Sequence, residues 1–281
     1  MAFATLMVHV EADPASDPRL ALAADLANRL DAKLIGVGAE LWRVSGIAAG
    51  GYGIDYGSGA VIAAELGAVE ADLKRAEEKF RRAAAGVRHG SDWRAAVRFP
   101  LDEIAAEARA ADLVITSRSH RQDASDHNVA APGALVLKTG RPVLVVPPEA
   151  TRLEVASVLV AWKDTREARR AVSDALPFLQ NAEKVQLVEI CDSSDAAPAA
   201  TKHLEDVADH LSRHGVKATL SVHVEEKDAT APHQLLDLAA LQPADLIVAG
   251  GYGHSRLQEW VFGGFTRALL AQAARAVLFS H

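Results

Sequence analysis

Glycine at fixed spacing is the feature of this sequence best suited to chemistry. Gly250-Gly251-Tyr252-Gly253 directly follows the apolar run Leu246 to Ala249, and Gly263-Gly264-Phe265-Thr266 opens a segment of helical period. Without a Cβ the backbone can close on a bulky anion, and the N–H groups at a helix start meet that anion with the positive end of the helix dipole. Ligands of open α/β sheets bind at such places, beyond the carboxyl ends of the strands. The pattern suits a phosphate chain held by backbone rather than by side chains. The alternative is a glycine-rich strand-to-helix turn that serves packing alone. Tyr252 is either a shield for a ligand or a plain loop residue, and Arg256 and Arg267 are read as solvated charges in preference to phosphate clamps.

Other chemistry-bearing residues point less far. Cys191 is the one cysteine, so an intrachain disulfide and a thiolate metal cluster are both excluded, and its expected state is a small buried thiol. His120 and His127, with Asp123 and Asp126 between them, lie on a polar stretch whose spacing defines no metal geometry. His203 and His210 share a helix face with Leu204, Val207 and Leu211, as the rim of a core-facing stripe would. The chain carries no G-x4-G-K-[S/T], no G-x-S-x-G elbow and no paired-histidine zinc motif. Asp164 is the one nearby carboxylate that a slow ATPase could use to hold a metal, and no catalytic residue is assigned.

The elements that must position these residues emerge from an internal repeat. Ala111-Asp112-Leu113-Val114-Ile115 returns as Ala244-Asp245-Leu246-Ile247-Val248, and Arg141 to Val146 returns as Arg275 to Ser280. Within each copy, β-branched apolar runs alternate with segments of helical period, the signature of parallel strands joined by crossover helices. The first copy predicts strands at Thr5 to Val10, Lys33 to Val37, Val87 to Trp93, Leu113 to Thr116 and Pro142 to Val146. The second predicts them at Val158 to Ala161, Val185 to Ile190, Ala218 to Val224, Leu246 to Ala249 and Ala276 to Phe279. Helices are expected at Pro18 to Leu30, Ala60 to Ala85, Leu101 to Ala110 and Ala134 to Thr139, then at Glu167 to Leu179, Thr201 to His214, Pro232 to Leu241 and Phe265 to Ala274, with Gly215 ending the sixth. The expected fold class is α/β: two tandem Rossmann-like domains, 1–150 and 151–281, each a five-stranded parallel sheet between helices, joined at Pro147 to Thr151. Gly46 to Gly59 has no counterpart after Ile190 and reads as a surface loop inserted in the first copy, with a lid or docking loop as the lesser alternative.

The spacing Gly250-x2-Gly253-x9-Gly263 resembles the G-x2-G-x9-G-[S/T] nucleotide motif of ATP-binding universal stress proteins. Val158 to Trp162 with Lys163 to Glu167 is similar to that family's first strand and turn, and Pro243 to Val248 to its fourth strand. The resemblance covers nearly the whole chain. It implies that Gly250 and Gly253 line ribose and phosphates, that Gly263, Gly264 and Phe265 offer backbone N–H groups to phosphate, and that Ala161 and Ile190 flank adenine. Two positions depart from the pattern. Gly264 stands where Ser or Thr is expected, with Thr266 as a nearby hydroxyl, and Lys163 replaces an acid, from where it swings toward phosphate or turns outward. In the first copy Thr116-Ser117-Arg118-Ser119-His120 lacks both leading glycines, so that pocket is expected to be degenerate.

The implied ligand is an adenine nucleotide, ATP or AMP, with or without Mg2+, in a non-enzymatic stress-response protein. A slow nucleotide hydrolase and a nucleotide-free scaffold are the alternatives. Family domains pair through their last strands, so Arg141 to Val146 and Arg275 to Ser280 are expected to pair within one chain as a pseudo-dimer, which could dimerise further. The net charge of -7 divides almost evenly between the halves, which argues against nucleic acid and anionic membrane as partners. The N-terminal residues carry no basic region before their apolar run and no long apolar run occurs, so a cytoplasmic location is expected.

Overall fold

A computed structural model describes residues 3–41, 59–118, 130–226, 229–252 and 264–281. Residues 46–58 of the insertion, the His120 to His127 stretch, Arg256, and two of the singled-out glycines, Gly253 and Gly263, lie outside the described residues. The strands are β1 (Thr5–Val10), β2 (Lys33–Ala39), β3 (Ser91–Ala96), β4 (Leu113–Ser117), β5 (Val143–Val146), β6 (Ser157–Trp162), β7 (Lys184–Cys191), β8 (Ala218–Val224), β9 (Leu246–Gly250) and β10 (Ala276–Ser280). The helices are α1 (Asp17–Arg29), α2 (Gly59–Ala84), α3 (Pro100–Glu107), α4 (Pro132–Lys138), α5 (Arg166–Leu179), α6 (Ala197–Arg213), α7 (Ala231–Leu241) and α8 (Gly264–Gln272).

All strands join one ten-stranded sheet in the order β3-β2-β1-β4-β5-β10-β9-β6-β7-β8. Each half contributes five parallel strands in the same doubly wound order. Where the halves meet, β5 and β10 run antiparallel, with Val277 opposite Val145 and Phe279 opposite Val143. One buried cluster draws on α1, α2, α5 and α6 and another on α3, α4, α7 and α8, so helices cover both faces. Strands buried on two faces must be apolar at nearly every position, which explains runs such as Val143 to Val146 and Leu246 to Ala249.

The repeated Ala-Asp-Leu sequence does the same work twice. Asp112 Oδ2 accepts from the backbone N–H groups of Ala4 and Thr5 at 2.8 and 2.9 Å, and Asp245 Oδ2 accepts from those of Ala156 and Ser157 at 3.0 and 2.8 Å. Each aspartate ties the start of its half's first strand to the strand beside it. Local signals also decide several ends. Thr165 caps α5 by accepting from the Ala168 N–H at 3.3 Å, and Gly215, at φ +81°, closes α6 with the Val216 N–H bonded to Leu211 O at 3.1 Å.

Two elements start four residues from where the sequence put them. The third strand begins at Ser91 rather than Val87, because Val87 buries its side chain in a turn after α2 that ends at Gly90, φ +84°. The sixth helix begins at Ala197 rather than Thr201, since Pro198 supplies a preset φ within its first turn.

Candidate functional site

The carboxyl ends of β6, β7 and β9 point into a cavity of about 280 Å³, near the lower end of the roughly 300–1,000 Å³ usual for small-ligand pockets. Ala161, Val188, Ile190, Leu235 and Phe265 make its walls apolar. Lys163 and Asp192 are its charged lining groups, while Gly250, Tyr252, Gly264 and Thr266 line it from the β9 turn and the first turn of α8. Strand alternation explains the placement: Val188 and Ile190 face the cavity side of the sheet, whereas Val185 and Leu187 face α5 and α6.

Of the residues singled out by sequence, the structure brings Ala161, Lys163, Ile190, Gly250, Gly264, Phe265 and Thr266 to this one cavity. Sequence reasoning missed Asp192, Val188, Leu235, Trp162 and Thr165 in its lining. Asp192 carried a usable signal, because a residue just beyond the carboxyl end of a strand in a doubly wound sheet is placed to line the crevice there.

Gly250 owes its identity to packing. A Cβ there would lie 2.7 Å from Ala168 N and 2.8 Å from the Glu167 carbonyl carbon, both backbone atoms of α5. Its hydrogen-only side therefore faces the helix behind it while its backbone lines the cavity. At Gly264, by contrast, an added Cβ would meet open space.

Lys163 is half exposed, with Nζ 3.6 Å from Asp192 Oδ1. Behind them Glu189 is buried on the α6 side of the sheet, and its Oε2 has no hydrogen-bond partner among the described residues. Burial pushes the Glu189 carboxyl above its ordinary range, against the pull of Lys163 and His203. His203 Nδ1 stands 3.9 Å from Glu189 Oε2, and the His210 ring meets His214 at 4.8 Å. Cys191 is a free buried thiol; burial, then the Glu189 charge, raises its pKa, which opposes thiolate chemistry. Asp164 is 3.2 Å from Arg169 Nη2.

The equivalent place in the first half is built differently. Register pairs Leu6 with Leu113 and Val158 with Leu246, so His9 stands where the second half has Ala161, and Ser117 where it has Gly250. Arg19, 2% exposed, spans these strand ends. Its Nε donates to His9 O at 3.0 Å, its Nη1 to Ser117 Oγ and its Nη2 to Glu11 Oε2 at 3.1 Å. Burial lowers the His9 pKa to about 4, with Glu11 opposing and Arg19 adding to the shift.

Fold and cavity together define a tandem doubly wound α/β protein of Rossmann-like type, with a cavity at the strand ends of its second half. Residues 155–281 match the model of the Universal stress protein family, so the second half is a universal stress protein domain. The whole chain shares its fold with a universal stress protein from Archaeoglobus fulgidus DSM 4304, at 14% identity and TM-score 0.67, covering 98% of this chain and 95% of that one. A Pseudomonas aeruginosa UCBPP-PA14 structure assigned to the same family has TM-score 0.61 at 14% identity, covering 99% of this chain and 93% of that one. No curated protein matches the sequence. Among the described residues no helix is long and apolar enough to cross a membrane.

Proposed function

We propose that the second half binds one adenine nucleotide, ATP or AMP, per chain, and that occupancy alters how the protein presents itself to partners without catalysis. The observation that carries this reading is an apolar cavity bounded by strand carboxyl ends, with the first turn of α8 in its lining. Ala161, Val188 and Ile190 supply an apolar slot for a purine, and the N–H groups at Gly264 and Phe265 supply donors for phosphate. Lys163 removes the acid expected after the first strand; Asp192, one strand over, supplies a carboxylate acceptor for the ribose hydroxyls. Mg2+ would arrive on the phosphates of ATP, with Asp164 and Asp192 as the nearby carboxylates.

The test is mass spectrometry of nucleotide released from purified, denatured protein, followed by calorimetry. The expected result is an adenine nucleotide and one site per chain. Two equivalent sites, or none, would overturn the reading. The hydrolase alternative is tested by nucleotide turnover in excess of any co-purifying activity, since the exposed Asp164–Arg169 pair leaves Asp164 able to meet a metal.

A further inference from the structure

The second half's cavity is lined by second-half residues, one of which, Tyr252, is packed against the first half. Tyr252 lines the cavity and sits at φ +56°, a left-handed conformation that is uncommon for an aromatic residue and is held only when its surroundings demand it. Its N–H donates to Thr266 Oγ1 at 3.2 Å, which joins the β9 turn to the first turn of α8. Its ring then reaches across to α4 of the first half. A Cβ built on Gly133 would clash with the Tyr252 hydroxyl oxygen and lie 3.3 Å from Leu270 Cδ1 and 3.5 Å from Tyr252 Cζ. One residue earlier, a Cβ on Gly251 would lie 2.7 Å from Val136 Cγ1, also on α4. Two successive residues of the cavity turn are therefore fitted against one short helix of the other half.

We infer that α4 of the first half is a positioning element for the ligand cavity of the second half, acting through Gly133 and Tyr252. Gly133 is the second residue of α4 and its φ is not left-handed, so its missing side chain answers to Tyr252 rather than to its own backbone. The atom in conflict is the far end of a tyrosine side chain, so Gly133→Ala displaces the ring and leaves α4 formed. In this arrangement the first half, whose own equivalent site is spanned by Arg19, still takes part in binding, and ligand occupancy and the contact between halves bias each other. The ligand side of this inference rests on the nucleotide reading above.

A double-mutant cycle in the full chain tests it. Gly133→Ala should weaken ATP binding by about tenfold when Tyr252 is present and leave affinity unchanged in a Tyr252→Phe background, because Phe lacks the conflicting oxygen while its Cζ keeps ordinary contact. Hydrogen exchange, read without nucleotide, should rise in residues 249–252 and 264–270 on Gly133→Ala, and the Phe background should abolish that rise too. Equal effects of Gly133→Ala in both backgrounds, or no effect in either measurement, would overturn the positioning role. If the parent protein bound no nucleotide, the functional reading above would fall, and the exchange cycle would still decide whether α4 positions Tyr252.

Discussion

Single side chains decide what each half can hold. His9 brings a ring where the second half has the methyl group of Ala161, and its burial keeps it neutral, with Nε2 unpartnered among the described residues. A histidine whose folded pKa lies near 4 and whose unfolded pKa lies near 6.5 takes up its proton more readily once unfolded. Its contribution to stability is therefore whole above pH 6.5 and is lost as pH falls toward 4, by about 3 kcal/mol in all. Urea titrations at pH 7 and pH 4.5 should show His9→Phe losing less stability on acidification than the parent does; an identical slope would show that His9 is not the responsible group. Glu189 works in the opposite sense, since its carboxyl pKa is raised on folding, so the His9 variant must be compared with the parent and not with theory. At the cavity, Lys163 is free to choose between Asp192 and a ligand phosphate, because an exposed ion pair of this kind is worth only about 0–1 kcal/mol. A charged hydrogen bond to phosphate is worth more, about 1.5–3 kcal/mol. Lys163→Ala should then lower affinity for ATP by about tenfold and for AMP by about twofold or less, as calorimetry would show; equal losses would place the ammonium away from the phosphates.

At the scale of elements, the joint between β9, α5 and α8 carries the site. Gly250 lets the α5 backbone approach β9, and the first turn of α8 is brought beside the same strand end. The two described glycines on the cavity lining, Gly250 and Gly264, answer to different demands, and substitution separates them. Gly250→Ala forces its Cβ against backbone atoms that cannot swing aside, and thermal denaturation should show a loss of about 1–3 kcal/mol. Gly264→Ser points its side chain into open space and adds a hydroxyl at the helix start, so the fold should be unperturbed and ATP affinity should rise. A Gly264→Ser protein that bound ATP more weakly would show that the first turn of α8 does not face the phosphates.

At the scale of the molecule, the pairing of β5 with β10 turns two five-stranded sheets into one. Contacts of other kinds reinforce the junction: Phe3 packs on Phe178 with ring centroids 5.2 Å apart, and the Arg29 side chain donates to Leu153 O. Cutting the chain near residue 150 would leave Val143 to Val146 and Ala276 to Ser280 as bare apolar edges. Each half expressed alone should self-associate in sedimentation experiments, whereas an equimolar mixture of the two should shift toward a one-to-one complex. Monomeric, stable halves would show that the junction is dispensable.

The sequence by itself determined the repeat, the α/β class and nearly every strand, because hydrophobic period and β-branched runs are local and are written twice. It also placed the glycine turn after β9, since turn chemistry is set by residues adjacent in the chain. It misjudged where β3 begins, because an apolar residue reads alike in a strand and in a turn packed beneath a helix, as Val87 shows. Only the tertiary structure decided what Gly250, Arg19 and Tyr252 do. Each is defined by a partner far along the chain: the α5 backbone for Gly250, Ser117 for Arg19 and Gly133 for Tyr252. Strand order and register create those meetings, and no local pattern encodes them. The first half's site looked merely degraded in sequence; folding shows a buried arginine spanning it, while α4 of that same half packs against Tyr252 in the cavity lining of the other.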